Sequence, residues 1–321
     1  MEKIKDGYID LANISDAETV KLTSDIVGSV LDKYSYLTET DRGLFLKKSL
    51  ESRINRSLLA NIAQIKGSGF MPDRLEQGYS YNMALENGDR ISFSGIIDRI
   101  DMCTNEDDKY IRVIDYKTGN RYIDLNDVYD GRQLQMIMYL EGAIQSIYKD
   151  ETIIPAGVFI SHINNPVIEY ENVSSDVDTE IQKELSLSGI INSDPDIIEL
   201  LDRAKTSNLI DKVKFKKDGS MSKSSAIMMS TEQFAAARNF EVLKIKSIGK
   251  KILHGDIEPR PYKKQVADVK NPKENTACQY CDYGNICSFS YDNKAFKYNN
   301  CSKMKTDEII NLITLKGENN E

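Results

Sequence analysis

The spacing of apolar residues predicts two helices near the start of the chain. Residues 16–36 and 41–66 both carry apolar side chains at helical intervals. In the second segment these are Leu44, Leu46, Leu50, Ile54, Leu58, Ile62 and Ile65. Residues 67–72 combine two glycines with a proline, which break regular structure. We therefore expect a helical part that ends before residue 71.

The pattern then changes to the alternation that is typical of β-strands. Residues 76–85, 90–101 and 110–119 predict three strands. Asn87-Gly88 separates the first two, and this pair favours a tight hairpin turn because both residues tolerate a positive φ. The segment therefore predicts a three-stranded meander.

One more helix and one more strand follow the meander. Residues 129–149 place most of their apolar side chains on one helical face, and residues 153–162 form an apolar run typical of a buried strand. A meander followed by a helical crossover favours a mixed sheet with helices around it. The pattern thus predicts an α/β fold with a mixed central sheet flanked by helices.

The second half of the chain has weaker periodicity. Residues 172–230 predict short helices and loops, and residues 231–254 predict a helix that Gly255 ends. A loop-like tail follows, with a last short helix at 305–315. We expect four parts: an N-terminal helical part (1–70), a core (71–170), a helical extension (171–255) and a cysteine-rich tail packing on the core (256–321).

Charge and composition limit the classes of partner. The net charge of -8 and the pI of about 5.1 argue against a nucleic-acid partner, because phosphate binding needs a positive surface. Lysines concentrated between residues 212 and 273 could still form a phosphate-binding stripe, or simply a solvated helix face. The chain has no apolar run long enough for a membrane span, and its start lacks the apolar core of a signal peptide. We therefore expect a cytoplasmic protein with no membrane partner.

Three polar residues near the ends of neighbouring predicted strands carry candidate chemistry. Asp115 and Lys117 are two residues apart, so both face the same side of a strand, and the meander can bring Asp98 beside them. Two adjacent carboxylates favour a divalent cation such as Mg²⁺ or Mn²⁺, and a lysine can stabilise charge that develops on a phosphodiester. Taken alone, an Asp-x-Lys triplet is more often an exposed ion pair.

Three motifs in this order resemble the RecB-like branch of the PD-(D/E)XK nucleases. They are the runs GIIDRID (95–101), VIDYKTG (113–119) and LQMIMY (134–139). The resemblance implies a restriction-endonuclease-like fold with helical additions. It also implies a DNA exonuclease that depends on Mg²⁺ or Mn²⁺.

The same resemblance assigns roles to individual residues. Asp98 and Asp115 would be metal ligands and Lys117 the catalytic lysine, while Gln135 and Tyr139 would be an accessory pair one helical turn apart. The remaining family positions have other interpretations. Glu76 resembles an upstream acid that supports the site, although it can equally be a surface glutamate. Arg99 and Asp101 match the family's D-R-x-D pattern and are expected to brace the strand through salt bridges.

The late cysteines form a second candidate site. Cys278, Cys281 and Cys287 have a spacing that suits zinc or an iron–sulfur cluster. The tail resembles that of the AddB subunits of bacterial helicase–nucleases and of the CRISPR-adaptation nucleases, which implies a 4Fe–4S cluster whose fourth cysteine precedes the core. No cysteine precedes the core in this sequence, so Cys103 or Cys301 would have to complete the cluster, unless both are ordinary cysteines.

The resemblance also implies a biological setting. The chain is expected to be a C-terminal piece of an AddB-like subunit that acts with an AddA-like helicase on DNA ends during double-strand-break repair and recombination. A same-fold nuclease of CRISPR adaptation or a phage exonuclease is one alternative. A non-catalytic DNA-binding or scaffold fragment with a metal-binding tail is another, and the family's upstream histidine is missing here, since the chain has only His162 and His254.

Overall fold

A computed structural model gives the architecture of the chain. It describes residues 6, 9–10, 14–37, 39–85, 87–168, 176–219, 221–222, 225–264, 276–287, 289 and 297–319. The chain forms two compact units. The first comprises Met1–Ser80, Ser94–Tyr122 and Tyr139–Phe234, and the second comprises Tyr81–Phe93, Ile123–Met138 and Ala235–Glu321.

The two predicted N-terminal helices are confirmed. Helix α1 spans Asp16–Leu31 and continues as a 3₁₀ stretch, Asp32–Leu37, and helix α2 spans Asp41–Lys66. A capping box starts α1, because Ser15 Oγ accepts from the Glu18 amide while the Glu18 carboxylate accepts from the Ser15 amide. No helix in the described residues is both long and apolar enough to cross a bilayer.

The predicted meander begins a six-stranded sheet of order β1-β2-β3-β4-β5-β6. Its first three strands are β1 (Met71–Ala84), β2 (Arg90–Asn105) and β3 (Asp108–Lys117). β1 starts earlier than the predicted residue 76 and includes Pro72, which an outer strand tolerates because one of its edges needs no hydrogen-bond donor. β2 and β3 are antiparallel and β3 and β4 are parallel, so the sheet is mixed, as the sequence predicts.

The single helix predicted over 129–149 is wrong in its first part. A short helix α3 (Leu125–Tyr129) ends there, and α4 (Gln135–Gly142) begins after a break and continues as a π-helical turn, Ala143–Ile147. The break contains Gly131 with φ +77°, a conformation that α-helices exclude. The predicted strand β4 (Ile153–His162) is confirmed, and its residues from Pro155 onward are buried because β3 and β5 pair with its two edges.

Two strands lie where only helices and loops were predicted. Residues 172–230 contain α5 (Val177–Glu184), β5 (Ser188–Asn192), α6 (Pro195–Leu201) and β6 (Ile227–Met229). β5 and β6 are too short to show an alternating pattern, and β5 is almost wholly buried, so its residues do not alternate in polarity. Together they extend the sheet beyond β4.

The last described elements belong to the second unit, apart from the first turn of the helix that begins at Thr231. Helix α7 (Thr231–Leu253) precedes Gly255, whose φ of +71° ends the helix as predicted. A two-stranded sheet of β7 (Tyr262–Lys263) and β8 (Asn299–Asn300) follows, and helix α8 (Thr306–Glu318) confirms the predicted last helix.

Candidate active site

The structure brings Asp98, Asp115 and Lys117 together in the first unit. The antiparallel register sets Arg99 opposite Ile114, so Asp98 and Asp115 are neighbours at the next position. The backbone amide of Tyr116 donates to Asp98 Oδ2 at 2.8 Å, and Lys117 Nζ lies 2.6 Å from Asp115 Oδ2. The convergence that the strand pattern predicts is therefore present.

The surroundings of Asp115 disfavour its negative charge. This residue is only 1% exposed, and burial raises the pKa of its carboxyl group. The Lys117 ammonium opposes this shift, whereas the neighbouring Asp98 carboxylate adds to it. A cation between the two carboxylates would relieve both the burial cost and the repulsion.

The two carboxylates fit a hard divalent cation whose remaining ligands would be water molecules and oxygen atoms of the substrate. Within the described residues, no group of three His, Cys, Asp or Glu side chains is arranged to hold a metal ion. Mg²⁺ commonly takes only one or two carboxylates and completes its shell with water and substrate phosphate oxygens. Asp98 and Asp115 match that pattern, and Lys117 supplies the adjacent positive charge.

A buried ionic network lies beside the two candidate ligands. Arg99 donates to both oxygens of Asp101 at 2.6 Å each, and Arg112 Nε donates to Asp101 Oδ2 at 2.9 Å. Arg99 Nη1 also donates to Asn61 Oδ1 at 2.7 Å and to Tyr116 Oη at 3.3 Å. Arg99 and Asp101 thus brace the strands as expected. Through Asn61, Arg99 also links helix α2 to Tyr116, whose backbone amide donates to Asp98.

The three remaining predicted residues have different environments. Gln135 is the exposed first residue of α4 and belongs to the second unit. Tyr139, in the first unit, is half-buried and packs edge-to-face on Tyr79, with the ring centroids 6.0 Å apart. Glu76 is exposed on β1 with φ +46°. The roles that the resemblance gives to these three residues stay predictions.

Tyr79 is a residue that the sequence reasoning did not single out. A methyl group on Gly142 would lie 2.3 Å from its ring, and one on Gly95 would lie 3.1 Å from it. The two glycines therefore leave the space that the Tyr79 ring fills beside Tyr139. Nothing in the local pattern of β1 marks this residue, because the two glycines come from other elements.

The cysteines fall into two groups. Cys281 and Cys287 are exposed, and Cys278 is half-buried within a short 3₁₀ turn, Ala277–Tyr280. Cys103 lies in the apolar core of the first unit, and Cys301 is buried in the second. Burial raises the pKa of both buried thiols. Cluster binding by the late cysteines stays a prediction.

One lysine of the predicted basic stripe, Lys244, is only partly exposed. The Lys244 ammonium lies 5.0 Å from the ring centroid of Phe240 and 5.5 Å from that of Tyr129. Burial lowers the pKa of Lys244, and the nearby Lys316 lowers it further. The Lys244 ammonium therefore makes cation–π contacts within the second unit.

Comparison with known proteins adds independent findings. Residues 10–288 match the model of the PD-(D/E)XK nuclease superfamily. A Clostridioides difficile protein, named as a subunit of an ATP-dependent helicase/deoxyribonuclease, is 33% identical over 300 residues, which cover 88% of this chain and 25% of that protein. Proteins of the same name from Thermoanaerobacter sp. (31% over 288 residues; 86% and 24%) and Bacillus mycoides (30% over 321 residues; 94% and 27%) are also similar. The chain spans about a quarter of the length of these relatives.

Proposed function

Because this chain belongs to the PD-(D/E)XK nuclease superfamily, we propose that it hydrolyses phosphodiester bonds of DNA at Asp98, Asp115 and Lys117, with Mg²⁺ or Mn²⁺ as cofactor. One observation carries the proposal. Asp115 is a buried carboxylate beside Asp98, and its oxygen lies 2.6 Å from Lys117 Nζ. A purely structural ion pair would not require the second carboxylate.

Each residue has a separate task in the proposed reaction. When bound, the cation would polarise the phosphate and lower the pKa of an attacking water. Asp98 and Asp115 would hold the cation, and the Tyr116 amide fixes the orientation of the Asp98 carboxylate. Lys117, fixed by Asp115, would offset the negative charge that grows on the phosphate oxygens. We assign supporting roles to Gln135, Tyr139 and Glu76.

The names of the relatives guide the proposal for the biological setting. They are called subunits of an ATP-dependent helicase/deoxyribonuclease. We propose that this chain acts as an exonuclease on DNA ends in double-strand-break repair and recombination, in the cytoplasm, with an AddA-like helicase subunit. We also propose that Cys278, Cys281 and Cys287 bind a 4Fe–4S cluster together with a fourth ligand.

A cleavage assay tests the site. End-labelled single- and double-stranded DNA would be incubated with the chain and Mg²⁺ or Mn²⁺, and the rates compared with those of Asp115→Ala and Lys117→Ala. Loss of a stabilising charge at such a site reduces the rate by about 10²–10³-fold. Lys109→Ala is the matched control, since Lys109 lies on the same strand and pairs with the exposed Glu151. Equal cleavage by all four proteins would refute the proposal.

Metal binding can be measured without turnover. A ligand that binds only the folded state stabilises it by about 2.7 kcal/mol at one hundred times its Kd. Mn²⁺ should therefore raise the melting temperature of the unmodified chain and not that of a variant carrying both Asp98→Asn and Asp115→Asn. No cleavage and no Mn²⁺ stabilisation of the unmodified chain would favour the non-catalytic DNA-binding alternative.

A further inference from the structure

A histidine that matches no family motif lies beside the candidate catalytic lysine. In the parallel register of β3 and β4, Lys117 pairs with His162, and Asp115 pairs with Ile160. Paired residues on adjacent strands project to the same face of a sheet, so His162 is on the face of Asp115 and Lys117. The Ile163 amide donates to the Lys117 carbonyl at 2.9 Å, which continues this pairing past the strand end.

His162 supports the loop that follows Lys117. This residue is 4% exposed, and its Nε2 lies 3.0 Å from the carbonyl oxygen of Arg121. Because a carbonyl oxygen only accepts, Nε2 carries the proton and donates it. The same ring packs against Tyr122, with the centroids 4.9 Å apart and the planes tilted by 48°. One buried side chain thus contacts two consecutive residues of the loop.

The loop presents an aromatic ring and a cation to solvent. Residues 118–122 are all exposed, and Tyr122 is 57% exposed although it is a large aromatic side chain. The His162 ring packs against one part of the Tyr122 ring, and this contact limits the orientations of the Tyr122 side chain. Arg121, whose side chain is exposed, is the preceding residue of the loop.

We propose that Tyr122 stacks on an unpaired base of single-stranded DNA next to the site and that His162 is the positioning residue for this contact. The inference rests on the proposed function for its choice of ligand. Every unpaired base has an open π-face, so an aromatic ring binds single strands with little regard to sequence. A base inside a duplex has both faces covered by its neighbours. Arg121 would contact the adjoining phosphate.

The geometry explains why this ring is suited to the task. A side chain whose orientations are already limited by packing loses less conformational entropy when it binds, so more of the stacking energy appears as affinity. The Tyr122 ring packs against His162, the residue that pairs with Lys117, so a base stacked on Tyr122 would be bound at the same end of the strands as Lys117. The contact would therefore select for single strands at the site.

Equilibrium binding tests the proposal without cleavage. The affinity of the full chain for a fluorescent oligothymidylate would be measured by anisotropy in EDTA, next to an oligonucleotide of equal length with abasic positions. Tyr122→Ala should weaken binding of the normal oligonucleotide by roughly fivefold to 150-fold, whereas Tyr122→Phe should change it by less than about twofold. On the abasic oligonucleotide all three proteins should bind alike.

Two further variants separate stacking from folding. Tyr122→Leu keeps an apolar contact with His162 but lacks a π-face, so it should behave like Tyr122→Ala while retaining the melting temperature of the unmodified chain. His162→Ala should weaken binding of the normal oligonucleotide and not of the abasic one. Tyr34, another tyrosine that is 47% exposed, serves as the control, and Tyr34→Ala should bind both oligonucleotides normally.

Three results of the binding measurements would overturn the stacking proposal. The proposal is overturned if Tyr122→Ala binds the normal oligonucleotide as tightly as the unmodified chain, or if its affinity falls by the same factor on both oligonucleotides. A chain that binds normal and abasic strands equally would also overturn it. These outcomes are independent of cleavage, since an active Asp115→Ala variant would refute the nuclease site and leave the binding comparison unchanged.

Discussion

Replacing Asp101 by asparagine should destabilise the first unit strongly. Asp101 is completely buried between Arg99 and Arg112, which are themselves 0% and 1% exposed. Asparagine has almost the same shape but no charge, so the variant leaves two guanidinium groups in the interior without an anion. Guanidinium groups do not lose their proton at accessible pH, and the cost cannot be avoided by titration.

The expected magnitude follows from the contacts. Asp101 accepts two hydrogen bonds of 2.6 Å from Arg99 and one of 2.9 Å from Arg112. Removing one partner of a buried ion pair lowers the free energy of unfolding by about 3–5 kcal/mol. We expect a loss toward the upper value, because Asp101 is paired with two cations. With an m-value of about 3 kcal/mol/M, the urea midpoint should fall by about 1–1.7 M.

The measurement is urea unfolding followed by circular dichroism. Lys109→Met is the control, because the exposed pair of Lys109 and Glu151 should contribute only about 0–1 kcal/mol. Arg112→Met should cost less than Asp101→Asn, since it leaves a balanced pair of Arg99 and Asp101. A loss below about 1 kcal/mol for Asp101→Asn, or a larger loss for Arg112→Met, would refute the reasoning.

The pH dependence gives a second check on the same network. Burial acts to raise the pKa of Asp101, but the two guanidinium groups outweigh it and hold the pKa below its usual range. A depressed carboxyl pKa contributes stability that is fully present above the unfolded-state pKa and is lost as the pH falls from there through the folded-state pKa. The stability difference between the unmodified chain and Asp101→Asn should therefore be constant from about pH 5 to pH 8.

Three further substitutions have defined outcomes. Glu241 is buried with no hydrogen-bond partner for either oxygen in the described part of the chain, and burial raises its pKa from 4.5 to about 9. As the pH rises from 4.5 to about 9, the unmodified chain should lose up to about 1.4 kcal/mol of stability per pH unit relative to Glu241→Gln. Melting temperatures measured across this range would contradict the prediction if the difference between the two proteins did not change with pH. Gly142→Ala should cost about 1–3 kcal/mol in urea unfolding because its methyl group would meet the Tyr79 ring, whereas Gly78→Ala, with no atom within 4 Å, should cost much less. Cys281→Ser should abolish bound iron in elemental analysis; zinc without iron in the unmodified chain would argue against the cluster.

Local pattern was sufficient for the long elements of this fold. The helices α1, α2 and α7 and the strands β2, β3 and β4 follow from hydrophobic periodicity, because each has enough residues to show its period and one consistent buried side. β5 and β6 could not be found in this way. They have five and three residues, and their strand conformation depends on the neighbour that supplies their hydrogen bonds.

The sequence by itself determined the candidate catalytic residues, because order and spacing place Asp98, Asp115 and Lys117 at adjacent strand positions. Only the tertiary structure decided their surroundings. The contacts of Arg99 with Asn61 and of His162 with Tyr122 join residues about forty positions apart, and no local period encodes such a pairing. The positions of the candidate catalytic side chains follow from the register of their own strands. The side chains that contact and orient them come from elements distant in the sequence, and only the packing of those elements brings them together.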